Sequence, residues 1–196
     1  SGASIDSRLV KKGHIFFAIK GKFNDGHKFL NQAEKNGAIV AVVQRKSRSI
    51  KIPQIVVHNS HKAMIRFAKH YRSQLKAKFI GITGSVGKTG TKDALNYILS
   101  KHKRAYCSRK SYNNKFGVPL EIINMPFESE VGIFELGMNH KNEIKEITKI
   151  LKPHIAVILN INYVHSENFK SLKDIALAKS EIFTSTDNIE TLVLLK

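Results

Sequence analysis

A glycine-rich loop in the middle of the chain offers the clearest chemistry. It reads Gly81-Ile82-Thr83-Gly84-Ser85-Val86-Gly87-Lys88-Thr89 and lies between an apolar run and a helical pattern. Glycines let backbone N–H groups turn toward an anion, and the N-terminus of the following helix adds partial positive charge. Lys88 can reach terminal phosphates and Thr89 can bind Mg²⁺. The loop therefore predicts a nucleotide-phosphate site, although the strict Walker spacing would need a glycine at Ile82.

Lys88 is the residue of this loop that is hardest to explain without a ligand. A cation in the first turn of a helix opposes the helix dipole unless an anion lies between them. A glycine-rich turn with no ligand stays the structural alternative. The strand and the helix predicted on either side favour the phosphate site, and that helix carries an apolar face of Leu95, Ile98 and Leu99.

Two further polar side chains follow apolar runs, where strands of a parallel sheet would end. Glu135 ends the run that begins at Val131, and His165 follows the run 155–161 after a short loop. Ligands of such sheets bind beyond the carboxyl ends of the strands. A buried carboxylate needs a cation or hydrogen-bond donors, and a metal bound to phosphates would supply the cation. A solvated glutamate at a strand end is the alternative.

Lys179 is a lysine in an unusual place. Ser171 and Asp174 predict a capped helix start, and apolar residues at helical spacing then form one stripe, made of Leu172, Ile175, Ala176, Ile182 and Phe183. Lys179 falls on that stripe. Burial disfavours the ammonium form, and a neutral amine can react with CO₂ to give a carbamate that could bind Mg²⁺. The alternative is that Lys179 extends from the edge of the stripe to solvent.

The elements around these residues predict two α/β domains. In the first third, β-branched and aromatic runs at 15–19, 38–43 and 55–57 predict strands, and Asn59 or Ser60 can cap a helix that reaches Leu75. A polar run then ends this part of the chain. We place a domain boundary there, near Lys76, which gives a first domain of residues 1–76 and a second of residues 77–196.

The second domain alternates strands with helices. Apolar runs at 79–82, 131–136, 155–161 and 192–195 predict its strands. Strands that alternate with helices favour a parallel sheet, and continuously apolar strands are typical of a sheet covered on both faces. The fold class is therefore α/β, with a small N-terminal α/β domain before a partial parallel-sheet domain that carries the phosphate loop. The last apolar run ends with the chain, so we expect the sheet to continue in a longer protein.

The chain is strongly basic. Its 33 Lys and Arg against 15 Asp and Glu give a formal net charge of +18 over 196 residues. A field of that sign favours polyanionic partners such as nucleotides, nucleic acid or acidic membrane surfaces. A solvated lysine-rich surface is the alternative. No arginine-rich arm or aromatic platform accompanies the charge, so a basic P-loop protein that binds nucleic acid is a secondary hypothesis.

Cysteine content and hydropathy indicate the compartment. Cys107 is the one cysteine, which excludes an intramolecular disulfide and a cysteine metal cluster and fits a reducing compartment. No apolar run reaches the roughly 18 residues of a membrane helix. We therefore predict a cytoplasmic location without membrane insertion.

Five motifs follow one another along the chain. They are residues 79–89, Tyr112-Asn113-Asn114-Lys115-Phe116-Gly117-Val118-Pro119-Leu120, Glu135-Leu136-Gly137-Met138-Asn139-His140, Asn160 with His165, and Ala178-Lys179-Ser180-Glu181-Ile182. This ordered series resembles the motifs of the Mur ligase family. In the first third, Asp6-Ser7-Arg8, Gly13, Phe17, Gly21 and Asp25-Gly26-His27 resemble the UDP-sugar-binding domain of that family. Within the family, the Asn-Asn and Asn-His motifs point to the branch that adds D-alanyl-D-alanine.

The resemblance implies an ATP-dependent and Mg²⁺-dependent ligase. A carboxylate of UDP-MurNAc-tripeptide would form an acyl phosphate, and the amine of D-alanyl-D-alanine would attack it to give an amide. The implied nucleotide-binding residues are Gly84, Ser85, Val86, Gly87, Lys88, Thr89, Gly90, Asn113, Asn114, Asn139 and Asn160. The implied metal ligands are Thr89, Glu135, His165 and Lys179, the implied catalytic residues are Lys88, Lys179 and His165, and the implied substrate-binding residues are Ser7, Arg8, Asp25 and His27.

The chain also departs from the family pattern. Gly90 stands where Thr or Ser is usual, Asn142 where Gly is usual, and Lys170 where a Phe-Gly-Ser element has Gly. Family members carry a third domain, so we expect a monomeric piece of a ligase that does not ligate alone. A degenerate, inactive ligase and a sister ligase that adds the preceding residue of the peptide stay open as alternatives.

Overall fold

The computed structural model describes residues 2–21, 23–109, 112–163 and 168–194. Two compact units divide the chain, Ser1–His70 and Tyr71–Lys196. The division falls inside a helix, a few residues before the boundary expected near Lys76. How function is distributed between the two units stays a prediction. Among the described residues, no helix is long and apolar enough to span a membrane.

The first unit contains a parallel four-stranded sheet. Its strands are β1 (Gly2–Ser4), β2 (His14–Phe17), β3 (Ala38–Val43) and β4 (Gln54–Val56), in spatial order β1-β2-β3-β4. Helix α1 (Leu30–Lys35) lies between β2 and β3 along the chain, and α2 (Ser60–Gln74) follows β4. The apolar side chains of β2, β3 and α1 form the core.

The sequence predicted most of this unit. Strand β3 has the predicted bounds, and β2 and β4 are each displaced by one or two residues from the prediction. Asn59 caps α2, since its side-chain oxygen accepts from the backbone N–H of Lys62 at 2.9 Å. Strand β1 was missed because Gly-Ala-Ser has no β-branched or aromatic residue to mark it.

The second unit is a doubly wound α/β unit, with nine helices and strands after α2 in the residues that the structure describes. In chain order they are β5 (Lys78–Thr83), α3 (Lys88–Leu99), β6 (Ala105–Cys107), α4 (Gly117–Asn124), β7 (Val131–Glu135), α5 (Glu143–Leu151), β8 (Ile155–Ile158), α6 (Leu172–Thr184) and β9 (Thr191–Leu194). The sheet is parallel throughout, in order β6-β7-β5-β8-β9. The predicted α/β fold class is confirmed.

The strand order positions the phosphate loop at the centre of the sheet. Strand β5 pairs with β7 on one side and with β8 on the other, and it leads directly into the loop before α3. The connection after β5 leads to β6 in one half of the sheet, and the connection after its neighbour β8 leads to β9 in the other half. Neighbouring strands whose connections diverge in this way open a ligand crevice at their carboxyl ends. The register places Ile82 of β5 opposite Glu135 of β7.

Three predictions for this unit were wrong in detail. Strand β8 ends at Ile158 and not at 161, because the chain beyond it turns to bond with the phosphate loop. Strand β6 was missed because it has three residues. Ile98 and Leu172 were placed on buried helix faces, and they are 56% and 38% exposed.

Candidate functional site

One glycine and one asparagine determine the shape of the phosphate loop. The asparagine, Asn160, follows β8, which is a neighbour of β5 in the sheet. Gly87 precedes α3 with φ +85°, a conformation that side chains rarely adopt. The backbone N–H groups of Ser85 and Val86 donate to Oδ1 of Asn160 at 3.1 and 3.0 Å, and Nδ2 of Asn160 donates back to the Val86 carbonyl at 3.1 Å. Asn160 therefore holds the loop in shape.

Lys88 lies over this loop at the start of α3. Its Nζ donates to the carbonyls of Gly84 at 2.7 Å and Ser85 at 3.3 Å. Burial lowers the pKa of Lys88, and the negative charge of Glu135 partly opposes that shift. The backbone N–H groups of the first turn of α3 have no acceptor within the helix. The Lys88 ammonium group and the N–H groups at the start of α3 thus lie at the same loop. A phosphate site needs both kinds of donor.

Glu135 is the buried charge at the carboxyl edge of the sheet. It is 2% exposed, and its two carboxylate oxygens accept from the Thr89 hydroxyl and from Nδ2 of Asn113, both at 2.8 Å. Both donors are neutral, so these bonds orient the carboxylate without cancelling its charge. Oxygen atoms are the usual ligands of Mg²⁺. The protein commonly supplies one or two of them, and waters and phosphates supply the rest. The residues present fit a magnesium ion.

Lys179 is buried and does not extend to solvent, so the alternative that the sequence left open is wrong. The residue is 2% exposed on α6, whose start is capped by Ser171 through a bond from the Asp174 N–H at 3.1 Å. Burial, with a smaller effect from the positive charge of Lys88, lowers the pKa of Lys179 to about 8. The two amino groups are therefore close enough for the charge of Lys88 to act on Lys179.

Asn114 and Asn139, two of the residues predicted to bind the nucleotide, lie just before helices α4 and α5. The Asn114 side-chain oxygen accepts from the N–H groups of Phe116 and Gly117, each at 3.0 Å, and so holds the start of α4. Asn139 lies exposed after β7, and its backbone N–H donates to Glu143 at 2.6 Å. His165, predicted to bind a metal, lies outside the described residues.

In the first unit, the Asp25 turn is a closed network. The His27 side chain is 6% exposed, its Nδ1 bonds to the Asp25 carboxylate at 2.6 Å, and its Nε2 accepts from the Gln44 N–H at 2.8 Å. Both ring nitrogens are used, so His27 holds the turn. Arg45, which the sequence analysis did not single out, donates to Asp25 at 3.1 Å and is largely exposed.

The other predicted substrate residues lie on the turn after β1. The Arg8 guanidinium pairs with Asp6 at 2.6 Å, and this pairing lowers the pKa of Asp6. The side chain of Arg8 is 83% exposed, so the guanidinium can reach a ligand. Ser7 is buried, and its carbonyl accepts from Nδ2 of Asn36 at 2.8 Å.

The comparisons with known proteins decide the family. The model described as Mur ligase middle domain matches residues 82–196, and that described as Mur ligase family, catalytic domain, matches residues 1–72. The chain belongs to the Mur ligase family. The UDP-N-acetylmuramoyl-tripeptide--D-alanyl-D-alanine ligase of Rickettsia prowazekii is 45% identical over 91% of this chain and 40% of that protein. The Escherichia coli protein of the same name is 35% identical over 91% of this chain and 39% of that protein.

Solved structures of Mur ligases share the fold over nearly the whole chain. MurF from Acinetobacter baumannii has a TM-score of 0.87 and 36% identity, covering 98% of this chain and 42% of that one. MurF ligase from Thermotoga maritima, solved in complex with ADP, has a TM-score of 0.85 and 29% identity, covering 99% of this chain and 45% of that one. The chain therefore spans about 40% of the length of the relatives it matches.

The Mur ligase departure at Asn142 has a structural explanation. Asn142 precedes α5 with φ +70°, where glycine is favoured and asparagine is among the better tolerated alternatives. Its backbone N–H donates to Glu181 of α6 at 2.8 Å, a bond that any residue can make. At Gly90 an added Cβ would meet nothing within 4 Å. Asparagine thus fits the backbone conformation at position 142, and there is space for a side chain at position 90.

We expect opposite effects on stability at these two positions. Asn142→Ala should lower the free energy of unfolding by about 1 kcal/mol because alanine is strained at positive φ, whereas Asn142→Gly should not. Gly90→Ala should raise it by about 0.5 kcal/mol because the helix gains a better former. Denaturant titration measures all three. Equal stability of Asn142→Ala and Asn142→Gly would contradict this account.

Proposed function

We propose that this chain is the nucleotide-binding and UDP-substrate-binding part of an ATP-dependent ligase that adds D-alanyl-D-alanine to UDP-MurNAc-tripeptide. One observation carries the proposal: a phosphate loop with Lys88 and a hydrogen bond from Thr89 to the buried Glu135 lie at one edge of a parallel sheet. The buried Lys179 is close enough to Lys88 for the charge of Lys88 to lower its pKa. The relatives named for this reaction support the choice of substrates over those of a sister ligase.

The reaction divides into two balanced steps. A carboxylate oxygen of the tripeptide attacks the γ-phosphorus of ATP, which gives an acyl phosphate and ADP. The amine of D-alanyl-D-alanine then attacks the acyl carbon, phosphate leaves, and the nitrogen loses a proton. Both steps depend on positioning and on neutralising phosphate charge.

The residues of the phosphate loop would serve the first step. Lys88 would exchange its bonds to the loop carbonyls for bonds to the terminal phosphates, and the first-turn N–H groups of α3 would bind the adjacent oxygens. Thr89 and Glu135 would hold Mg²⁺, which neutralises phosphate charge when bound. Asn113 keeps the carboxylate of Glu135 oriented.

Lys179 would contribute as a carbamate. Its neutral amine attacks CO₂, one N–C bond forms, and a proton is released. As an ammonium, Lys179 is repelled by Lys88, whereas the carbamate is an anion that Lys88 attracts. The modification therefore removes the repulsion between two like charges and adds an oxygen ligand suited to Mg²⁺.

In the first unit, Arg8 and Arg45 offer exposed guanidinium groups for a diphosphate or a carboxylate. Ser7, Asp25 and His27 would keep the two turns that present them in shape. We assign the UDP-MurNAc-tripeptide to this surface and the reaction to the cytoplasm, where its ATP is available.

The nucleotide assignment predicts a loss of affinity in one variant. Lys88→Ala should weaken Mg·ATP binding about 10- to 100-fold because it removes a charge-assisted contact of about 1.5 to 3 kcal/mol. Titration calorimetry gives the dissociation constant. Lys101→Ala, an exposed lysine beyond α3, is the matched control and should bind normally. Unchanged affinity in folded Lys88→Ala, or no binding by the unsubstituted chain, would contradict the assignment.

The carbamate predicts a ¹³C signal that depends on one lysine. With ¹³C-labelled bicarbonate, the unsubstituted chain should show a carbamate carbon that Lys179→Ala lacks and that Lys173→Ala, exposed on the same helix, retains. The signal should grow as pH rises through about 8, because the neutral amine is the reacting form. An identical spectrum for Lys179→Ala would show that Lys179 is not modified.

A further inference from the structure

A buried glutamate in α4 accepts hydrogen bonds from residues that precede Asn113 in the chain. Glu121 is 0% exposed, although it lies on a helix that is otherwise apolar on that side. Its carboxylate accepts from the backbone N–H and from Nε of Arg109, both at 2.7 Å, and from the Tyr106 hydroxyl at 3.0 Å. A terminal guanidinium nitrogen of Arg109 adds an ion pair at 2.6 Å. The buried charge is thus paired and hydrogen-bonded.

Arg109 in turn contacts Tyr112, the residue before Asn113. Its guanidinium lies over the ring of Tyr112, with 4.5 Å to the ring centroid. Nδ2 of Asn113 donates to Glu135 at 2.8 Å, and the Asn113 carbonyl accepts from the Gly137 N–H at 2.8 Å. A chain of direct contacts therefore joins Glu121 to Glu135.

Helix α3 holds the start of the same segment. Lys92 is 1% exposed, and its Nζ donates to the carbonyl of Ser108, the residue before Arg109. Lys92 follows Thr89 by one turn, so the helix that brings Thr89 to Glu135 also fixes where this segment begins. Two buried charged side chains on two helices thus fix neighbouring backbone positions.

We propose that Arg109 and Glu121 are positioning residues for the metal–nucleotide site, which act by holding Asn113 against Glu135. The inference rests on the proposed function, since it assigns Glu135 to Mg²⁺. A carboxylate that is oriented before the ligand arrives does not have to reorganise on binding. A pair that only stabilised the fold would be indifferent to Mg²⁺, and this difference makes the proposal testable.

The primary variant is Glu121→Gln, which keeps the size of the side chain and removes the charge that binds Arg109. The readout is the ratio of ATP affinity with Mg²⁺ to ATP affinity in EDTA, from calorimetry. We expect this ratio to fall about 3- to 30-fold, while ATP affinity in EDTA changes less than about twofold. Arg109→Lys, which keeps a cation beside Glu121, should lower the ratio in the same direction and decides the question if Glu121→Gln does not fold.

A double-mutant cycle identifies the route. Asn113→Ala alone should lower the ratio, and adding Glu121→Gln to it should lower it no further, because the pair acts through Asn113. Arg104→Ala is the matched control: Arg104 pairs with Glu130 at 3.8 Å on the surface, and its loss should leave the ratio unchanged.

Each other outcome overturns the proposal. Additive losses in the cycle, an equal loss with and without Mg²⁺, or no change in folded Glu121→Gln and Arg109→Lys would show that the pair is merely structural. In those cases the unsubstituted chain still binds Mg·ATP, so the proposed function stands. If the unsubstituted chain shows no Mg²⁺-dependent gain in ATP affinity, the proposed function fails and this inference fails with it.

Discussion

The burial of one carboxylate constrains the whole nucleotide edge of the second unit. Glu135 is nearly inaccessible, and an ionised carboxylate in such a place needs donors or a cation. Thr89 brings the start of α3 to it, and Asn113 brings the segment before α4. Strand β7, helix α3 and the segment before α4 are therefore held around the carboxylate of Glu135. Because its two donors are neutral, the negative charge is not cancelled, and a cation beside the phosphates would balance it.

Helices α5 and α6 stabilise the other half of this edge through a second set of charges. Glu181 of α6 accepts from the N–H groups of Asn142 and Lys145 at the start of α5, at 2.8 and 2.9 Å, and Lys141 pairs with Asp174 at 2.7 Å. Carboxylates at a helix N-terminus are favourable for its dipole. These contacts hold α6, the helix that carries Lys179, against the start of α5.

Local patterns in the sequence predicted the parts of the fold that local patterns determine. The phosphate loop, the central strands and the place of Lys179 on the apolar stripe of its helix follow from apolar runs, glycine spacing and helical periodicity. The contacts of Asn114, Asn160 and His27 could not be predicted, because a side-chain amide or imidazole finds its partner only after the chain has folded. The pairing of Arg109 with Glu121 was missed for the same reason, since nothing in the sequence marks one charged pair among many.

We propose that Glu135 and Thr89 hold a divalent cation beside the nucleotide. Mn²⁺ accepts the same oxygen ligands as Mg²⁺, and its binding can be followed by electron paramagnetic resonance. In a titration with ATP present, Glu135→Gln should bind Mn²⁺ at least about tenfold more weakly than the unsubstituted chain, because a charge-assisted ligand is lost. An unchanged Mn²⁺ affinity in folded Glu135→Gln would contradict the account.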